Sequence, residues 1–322
     1  MNHPKASRRP LSLSAMAAPA PAFAVAGVYT ALATPFLADG GGVDFESLAR
    51  LVAAQVAAGV AGVVACGTTG ESPTLSKEEK RAVIAKTVEL CRGTAVRVVA
   101  GTGSNNTAES VELTAFALEA GAAACLVVNP YYNRPSQAGL VAHVCAIAAV
   151  GLPVILYNIP GRSGVNMNVA TVAEIVARCA PGRIVALKDA TGGVDQAAEL
   201  ALAVPGLAVM SGDDGITLPF MSVGARGVVS VLSNLAPRAL VEMVRLALAN
   251  DFAAARRLHE RTLPLAKALF CETNPTPLKF ALVRAGLFAS AAVRLPLVSV
   301  AAESEAKVAA AMDKAKADGV EL

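Results

Sequence analysis

The chain has 322 residues, of which 54% are apolar but only 4% aromatic, and it contains no Trp. With so many apolar residues and a formal net charge of only +3, it can bury a large core, which excludes a disordered protein. Its 28 Lys and Arg residues are scattered and nearly balanced by 25 Asp and Glu residues, so it lacks the dense basic surface of a nucleic-acid-binding protein.

The N-terminal 25 residues carry Arg8 and Arg9 but no acidic side chain. We expect residues 1–25 to form a disordered extension. Two alternatives are a start assigned too early, with Met16 as the initiator, and an export signal of the twin-arginine type. Prolines 10, 19 and 21 interrupt the apolar segment that an export signal needs.

From residue 27 onward, short apolar runs alternate with longer segments of helical periodicity. The apolar runs, which predict strands, are residues 28–33, 62–66, 97–101, 124–128, 153–157, 183–187, 207–210 and 227–231. The segments that predict helices are residues 44–58, 76–91, 105–119, 136–149, 168–179, 194–204, 213–223 and 237–248. Nearly continuous apolar strands joined by helices indicate a parallel sheet that is covered on both faces.

Eight strand–helix units predict an α/β protein with a (β/α)8 TIM barrel over residues 26–249. A doubly wound open sheet is the rival fold, but it usually has six strands, and no G-x-G-x-x-G follows the first strand of this chain. Further helices are predicted at 252–270, 276–285 and 303–316. We therefore interpret residues 250–322 as an appended C-terminal α-helical region.

Two apolar stretches, residues 51–66 and 144–157, are the nearest candidates for a membrane span. The first contains Gln55 and two glycines, and the second is interrupted by Gly151 and Pro153. The first is better explained as an amphipathic helix followed by a buried strand, and the second is too interrupted to span a bilayer. The sequence therefore predicts a soluble, cytoplasmic protein without membrane contact.

The six cysteines form no C-x-x-C pair and lie mostly in apolar runs. This pattern favours buried free thiols in a reducing compartment. The three histidines, at positions 3, 143 and 259, are too far apart for a metal site of ordinary spacing. We expect no metal.

In a TIM barrel the chemistry lies at the C-terminal ends of the strands. After the second strand, Thr68 and Thr69 stand between two glycines, where backbone amides and hydroxyls can hold a small carboxylate. An ordinary glycine-rich turn is the alternative. The fourth and fifth strands end near Tyr131, Tyr132 and Tyr157, which are three of the four tyrosines in the chain and either serve chemistry or cap the barrel.

Lys188 ends the apolar sixth strand and is the only lysine between Lys86 and Lys267. Apolar surroundings disfavour a charged amine, and a neutral amine can attack a carbonyl carbon to form a Schiff base. A lysine paired with Asp189 or with a neighbouring carboxylate is an equally supported alternative. Arg162, in a loop with glycines after the fifth strand, suits a bidentate carboxylate contact. Together these groups predict class I aldol chemistry on a small 2-oxo acid.

Six segments in the same order resemble the 4-hydroxy-tetrahydrodipicolinate synthase family, also called dihydrodipicolinate synthase. They are GTTGES at 67–72, NPYYNRPSQAGL at 129–140, LYNIPGRSG at 156–164, ALKDATG at 186–192, SGDD at 211–214 and NPTPLK at 274–279. The resemblance implies a homotetramer of (β/α)8 barrels that condenses pyruvate with L-aspartate 4-semialdehyde. It also implies that no cofactor is needed beyond the covalent Schiff base with pyruvate.

The resemblance also implies roles for individual residues. Lys188 would form the Schiff base, and Tyr157 would donate and accept protons above it. Thr68 would link Tyr157 to Tyr132, which in this family reaches into the site of the neighbouring subunit. Thr69 would hold the carboxylate of pyruvate.

Three further residues would contact the substrates. Val229 would line the pocket, at a position where the family often has isoleucine. Arg162 would bind the carboxylate of the semialdehyde, and Gly212 stands where a backbone carbonyl approaches that substrate. Because the wider superfamily shares the lysine and the tyrosine of the fifth strand, a pyruvate-dependent lyase acting on a sugar acid remains an alternative, as does an inactive binding barrel. Tyr132 and the sequence GRSG at 161–164 favour the synthase.

Lysine-inhibited members of the family have a second pocket at a dimer interface. The residues at the matching positions are Asn105, Glu109, Tyr131, Lys77 and Lys80. The two lysines stand where histidines are common, and Pro73 replaces a small residue. Two added ammonium groups should repel a cationic effector, so the sequence predicts weak or absent inhibition by lysine.

Overall fold

The fold is a closed barrel of eight parallel strands in a computed structural model that describes residues 25–322. The strands are β1 (Gly27–Ala31), β2 (Gly62–Ala65), β3 (Arg97–Gly101), β4 (Ala124–Val128), β5 (Val154–Asn158), β6 (Ile184–Asp189), β7 (Ala208–Ser211) and β8 (Gly227–Ser230). Each strand pairs with the next in the sequence, and β1 pairs with β8 to close the barrel. The predicted TIM barrel is confirmed. The expectations for residues 1–24 lie outside the described residues.

Twelve helices are present in the described part of the chain. They are α1 (Phe45–Ala58), α2 (Lys77–Cys91), α3 (Thr107–Glu119), α4 (Gln137–Ala148), α5 (Pro160–Ser163), α6 (Val169–Arg178), α7 (Val194–Ala203), α8 (Thr217–Ser222), α9 (Pro237–Leu248), α10 (Phe252–Ala268), α11 (Thr276–Arg284) and α12 (Ala302–Ala317). Several begin directly after a capping side chain, as the sequence predicts. Ser76, for example, forms a capping box with Glu79 at the start of α2.

The strands are apolar on both faces because they separate two clusters of buried side chains. The inner cluster fills the barrel and includes Tyr29, Val64, Ile155 and Met210. The outer cluster lies between the strands and the surrounding helices. A parallel sheet buried in this way needs no polar face, which explains why most strand residues are apolar.

The helix predicted at residues 213–223 is present but begins differently. Its first turn, Asp214–Ile216, is a 3-10 helix that leads directly into α8. The reason is the Asp214 carboxylate, which is buried and accepts hydrogen bonds from the backbone amides of Val231 and Leu232, both at 2.9 Å. This tie to the end of β8 fixes the turn, and the helical periodicity does not reveal it. The short helix α5, which carries Arg162, is also absent from the sequence prediction.

The C-terminal region packs against the barrel where its helix α10 lies on α9. Within the C-terminal region, α12 packs on both α10 and α11. The connection between α11 and α12, residues 285–301, has no regular structure and returns across the face where the strands end. Its residues Pro296 and Leu297 reach the central cavity. The six cysteines are free thiols, three of them buried and three half-buried. In the part of the chain that is described, the helices are too short or too polar to cross a membrane.

His143 on α4 gives the fold a measurable pH dependence. The side chain is 5% exposed, and its Nδ1 shares a 2.9 Å hydrogen bond with the Thr107 hydroxyl. Burial lowers the pKa of His143 from 6.5 to about 4. Because the folded pKa lies below the unfolded one, the contribution to stability is present above pH 6.5 and is lost as the pH falls through 4.

We predict that His143→Gln removes this pH dependence. Between pH 6.5 and pH 4, the free energy of unfolding of the unaltered protein should fall by about 3 kcal/mol more than that of the variant. Urea unfolding of both proteins across this range measures the difference, and carboxylates that titrate in the same range cancel in the comparison. An equal fall in both proteins would contradict the prediction.

Candidate active site

A cavity of about 330 Å³ opens at the C-terminal ends of the barrel strands. Its lining includes Thr68, Tyr131, Tyr157, Arg162 and Asn274. The first four are sequence-predicted site residues that follow three different strands, and the barrel brings them to one mouth. Asn274 comes from the C-terminal region. This cavity is therefore the candidate active site.

Lys188 and Tyr157 are direct neighbours on adjacent strands. They are paired in the register of β5 and β6, and both are buried, with 5% and 4% of their surface exposed. The Nζ atom of Lys188 lies 4.0 Å from the centroid of the Tyr157 ring. Tyr157 lines the cavity while Lys188 is not among its lining residues, so the amine lies beneath the ring.

The alternative that Lys188 pairs with Asp189 is not what the structure shows. Successive residues of a strand point to opposite faces, and the Asp189 carboxylate instead accepts hydrogen bonds from the amide and hydroxyl of Thr191, at 2.8 and 2.6 Å. Burial raises the pKa of Asp189. Within residues 25–322, no carboxylate lies within 4.0 Å of the Lys188 amine. A buried amine without a counter-ion is the arrangement that a Schiff-base nucleophile needs.

The loop of residues 67–72 carries two threonines, of which Thr68 lines the cavity and Thr69 does not. The loop is closed by its own backbone, with the Glu71 amide donating to the Thr68 carbonyl at 3.1 Å. Thr69 is 2% exposed, and its hydroxyl oxygen accepts a 3.0 Å hydrogen bond from Nδ2 of Asn274. Because this oxygen already accepts, the Thr69 proton is left to donate to another group, such as a bound carboxylate.

Arg162 lies at the rim, on α5. Its Nη2 donates to the backbone carbonyl of Asn274 at 3.3 Å, and the residue is otherwise exposed. A guanidinium has five N–H donors, so most remain for a bidentate contact with a carboxylate that enters the cavity. Asn274 thus bonds to both groups that the sequence predicts to bind carboxylates.

Asn274 is a site residue that sequence reasoning missed. It belongs to the NPTPLK segment, which carries part of the family resemblance but for which the sequence indicates no role. No local pattern connects this segment to a strand end, since it lies beyond the last strand and reaches the mouth only through the packing of α11. The signal that could have identified Asn274 is the segment itself, in which an asparagine follows a predicted helix and precedes two prolines.

The two neighbouring tyrosines have different surroundings. Tyr131 lines the cavity, whereas Tyr132 is 91% exposed and has a backbone φ of 71°. The loop itself is held in place, because Asn133 Nδ2 donates to the Asn105 carbonyl and Arg134 Nε to the Gly164 carbonyl, both at 2.9 Å. The structure therefore directs Tyr132 away from the cavity of its own chain.

Val229 and Gly212 lie near the site but do not line the cavity. Val229 is 1% exposed and belongs to the inner cluster together with Tyr157. The Gly212 amide donates to the Asp189 carbonyl at 2.7 Å. A Cβ at this position would lie only 2.7 Å from the Cβ of Ala190, so this close approach of two loops requires glycine.

A second, smaller cavity of about 40 Å³ is lined by Lys77, Lys80 and Glu109, among others. Lys77 forms an ion pair with Glu112 at 3.1 Å. Asn105 and Tyr131, which the resemblance places in the same pocket, are not among its lining residues. The structure thus brings together three of the five predicted pocket residues.

Known proteins resemble the chain over nearly its whole length. A model of the dihydrodipicolinate synthetase family matches residues 24–315. A 4-hydroxy-tetrahydrodipicolinate synthase from Sorangium cellulosum is 48% identical over 295 residues, which are 91% of this chain and 97% of that protein. The structure of the enzyme of that name from Methylacidiphilum fumariolicum SolV is 44% identical, with a TM-score of 0.88, and the match covers 91% of this chain and 97% of that one.

Another similar protein was solved with pyruvate. It is a chloride-inhibited dihydrodipicolinate synthase from Acinetobacter baumannii complexed with pyruvate. It is 42% identical, has a TM-score of 0.86, and the match covers 90% of this chain and 99% of that one.

Proposed function

The chain belongs to the dihydrodipicolinate synthetase family, and from this premise we propose that it condenses pyruvate with L-aspartate 4-semialdehyde to give 4-hydroxy-tetrahydrodipicolinate. The product belongs to the biosynthesis of diaminopimelate and lysine. The observation that carries the proposal is the buried, unpaired amine of Lys188, 4.0 Å from the Tyr157 ring at the base of a cavity with carboxylate-binding groups.

The first step forms the Schiff base. The Lys188 amine attacks the C2 carbonyl carbon of pyruvate, and water leaves to give an iminium. The iminium draws electrons from the neighbouring methyl group, which then loses a proton to give an enamine. Because the iminium is itself the electron sink, we propose that the reaction uses no cofactor or metal.

The second step joins the two substrates. The enamine carbon attacks the aldehyde carbon of the semialdehyde, and the aldehyde oxygen takes up a proton to become a hydroxyl group. The amine of the semialdehyde then attacks C2, the ring closes, and Lys188 is released. We assign the proton transfers to Tyr157, Thr68 and Tyr132, since hydroxyl groups replace histidine at this site.

The carboxylates are held by different groups. We assign the carboxylate of pyruvate to Thr69, whose hydroxyl proton is free to donate because Asn274 occupies its oxygen. We assign the carboxylate of the semialdehyde to Arg162 at the rim. Val229 would pack against the reacting end of the substrates, and the backbone at Gly212 would approach the second substrate.

We propose a homotetramer, as the family resemblance implies, and the position of Tyr132 supports contact with at least one neighbouring copy. A tyrosine that is 91% exposed on a loop held by two hydrogen bonds suits insertion into a neighbouring copy of the chain. Each site would then be completed by its neighbour. The free thiols favour a reducing compartment, and we place the enzyme in the cytoplasm.

We predict that borohydride together with pyruvate adds a stable mass to Lys188, equal to pyruvic acid less one oxygen atom. Lys188→Ala should abolish both the adduct and turnover, while Lys86→Ala, which removes an exposed lysine paired with Glu89, should keep both. Mass spectrometry locates the adduct, and a coupled reductase assay measures turnover with the semialdehyde. An adduct without turnover of the semialdehyde would contradict the proposed second substrate, and no adduct would contradict the whole proposal.

Arg162→Ala should separate the two substrates. Loss of a charge-assisted contact costs about 1.5–3 kcal/mol, so kcat/KM for the semialdehyde should fall roughly 10- to 100-fold. Half-saturation of the borohydride-trapped adduct by pyruvate should change far less. An equal loss for both substrates would argue against the role assigned to Arg162.

Inhibition by lysine should be weak or absent. Three cationic side chains, Lys77, Lys80 and Arg81, line the second cavity together with the two carboxylates of Glu109 and Glu112. The net charge of the lining is positive, and a cationic ligand is therefore repelled. Initial rates measured across a lysine titration test this. Half-inhibition at sub-millimolar lysine would show that the prediction is wrong.

A further inference from the structure

The C-terminal region reaches the active-site loop through a buried ion pair. The amine of Lys279, on α11, pairs with the carboxylate of Glu71, and the two side chains are 0% and 1% exposed. The Lys279 amine also donates to the Ala292 carbonyl at 2.8 Å and lies 3.9 Å from the centroid of the Phe36 ring. None of these residues has a part in the chemistry proposed above.

Stability alone does not explain this pair. Two charges removed from water lose their hydration, and a buried pair is often no more stable than apolar side chains of the same volume. The cost is visible at Lys279, where burial lowers the pKa to about 8 even though Glu71 opposes the shift. A pair that brings little net stability can still specify one conformation of the backbone that carries it.

The backbone in question is that of residues 67–72. Glu71 has a φ of 52°, in the left-handed region that a non-glycine residue rarely adopts. Its carboxylate is held from two sides, because it accepts from the Arg294 amide at 3.1 Å in addition to pairing with Lys279. Its own amide donates to the Thr68 carbonyl at 3.1 Å, so a shift of the Glu71 backbone would also move Thr68.

A second contact joins the same two parts of the chain. Asn274, a few residues before Lys279, donates to the hydroxyl of Thr69. One short segment of the C-terminal region therefore holds the loop at both Thr69 and Glu71, on either side of Gly70. The contact at Glu71 touches no group assigned to a substrate. Glu71 lines the cavity but Lys279 does not, so Lys279→Met tests the pair from outside the cavity wall.

We propose that Glu71 and Lys279 are positioning residues, whose buried pair holds the 67–72 loop where Thr68 and Thr69 can act on pyruvate bound at Lys188. The inference rests on the function proposed above. It makes the C-terminal helical region a part of the catalytic device, because the barrel alone supplies only the carboxylate of the pair.

Four variants test the inference. Lys279→Met removes the amine and leaves a buried carboxylate without its counter-ion, while Glu71→Gln/Lys279→Met removes both charges. Glu71→Gln alone keeps the shape of the side chain and leaves Lys279 bonded to Ala292. Arg284→Gln is the matched control, since it breaks the exposed ion pair to Asp313 at the end of the same helix. For each, the melting temperature and the pyruvate concentration that half-saturates borohydride trapping are measured.

We expect Lys279→Met to lower the melting temperature and the double variant to recover most of it. The pyruvate concentration that half-saturates trapping should nevertheless rise about 10-fold or more in the double variant. A displacement of about 1 Å at a site can lower the reaction rate about 100-fold. Glu71→Gln should shift half-saturation in the same direction, and Arg284→Gln should leave it unchanged. If the pair had a purely structural role, the double variant would recover both the melting temperature and the half-saturating pyruvate concentration.

The inference would be overturned if the half-saturating pyruvate concentration stayed within about twofold of that of the unaltered protein, both in Glu71→Gln and in a folded double variant. The proposed function would remain intact. A rise of the same size in Arg284→Gln would also overturn it. The absence of any adduct in the unaltered protein would overturn the proposed function and the inference together, and this outcome is separate because it requires no variant.

Discussion

Closure of the parallel sheet is the constraint on which the rest of the molecule depends. The backbones of β1 and β8 meet where Gly227 pairs with Gly27, and a Cβ at residue 227 would overlap the carbonyl of Gly27, so closure requires glycine there. Once closed, all eight strands end on one side, and every loop that follows a strand opens onto one mouth. The register between β5 and β6 then sets Lys188 beside Tyr157.

The barrel does not complete this mouth by itself. Asn274 bonds to Thr69 and to Arg162, and Lys279 pairs with Glu71 in the loop between β2 and α2. The connection after α11 covers part of the cavity. The C-terminal helices therefore stabilise the geometry of the loops in addition to packing on α9. This arrangement explains why an extra helical region accompanies a barrel that could close without it.

Most of the fold was predictable because its signals are local. Apolar runs bounded by glycine or polar residues gave the eight strands to within two residues at each end, and capping residues such as Ser76 marked where helices begin. The positions of Lys188 and Tyr157 near the ends of buried strands were predictable for the same reason. The helix predicted at 213–223 is present, but periodicity did not reveal that its first turn is a 3-10 helix, which the buried contact of Asp214 with the end of β8 fixes.

The amino-acid sequence by itself determined the parallel barrel, the family, and which side chains stand at strand ends, because hydrophobic period and motif are properties of neighbouring residues. Tertiary structure alone decided that no carboxylate of residues 25–322 lies within 4.0 Å of the Lys188 amine, that Tyr132 points away while Tyr131 faces the cavity, and that Asn274 and Lys279 meet the 67–72 loop. These contacts join residues far apart in the chain. Their partners are set by packing geometry, for which no short stretch of sequence carries a signal.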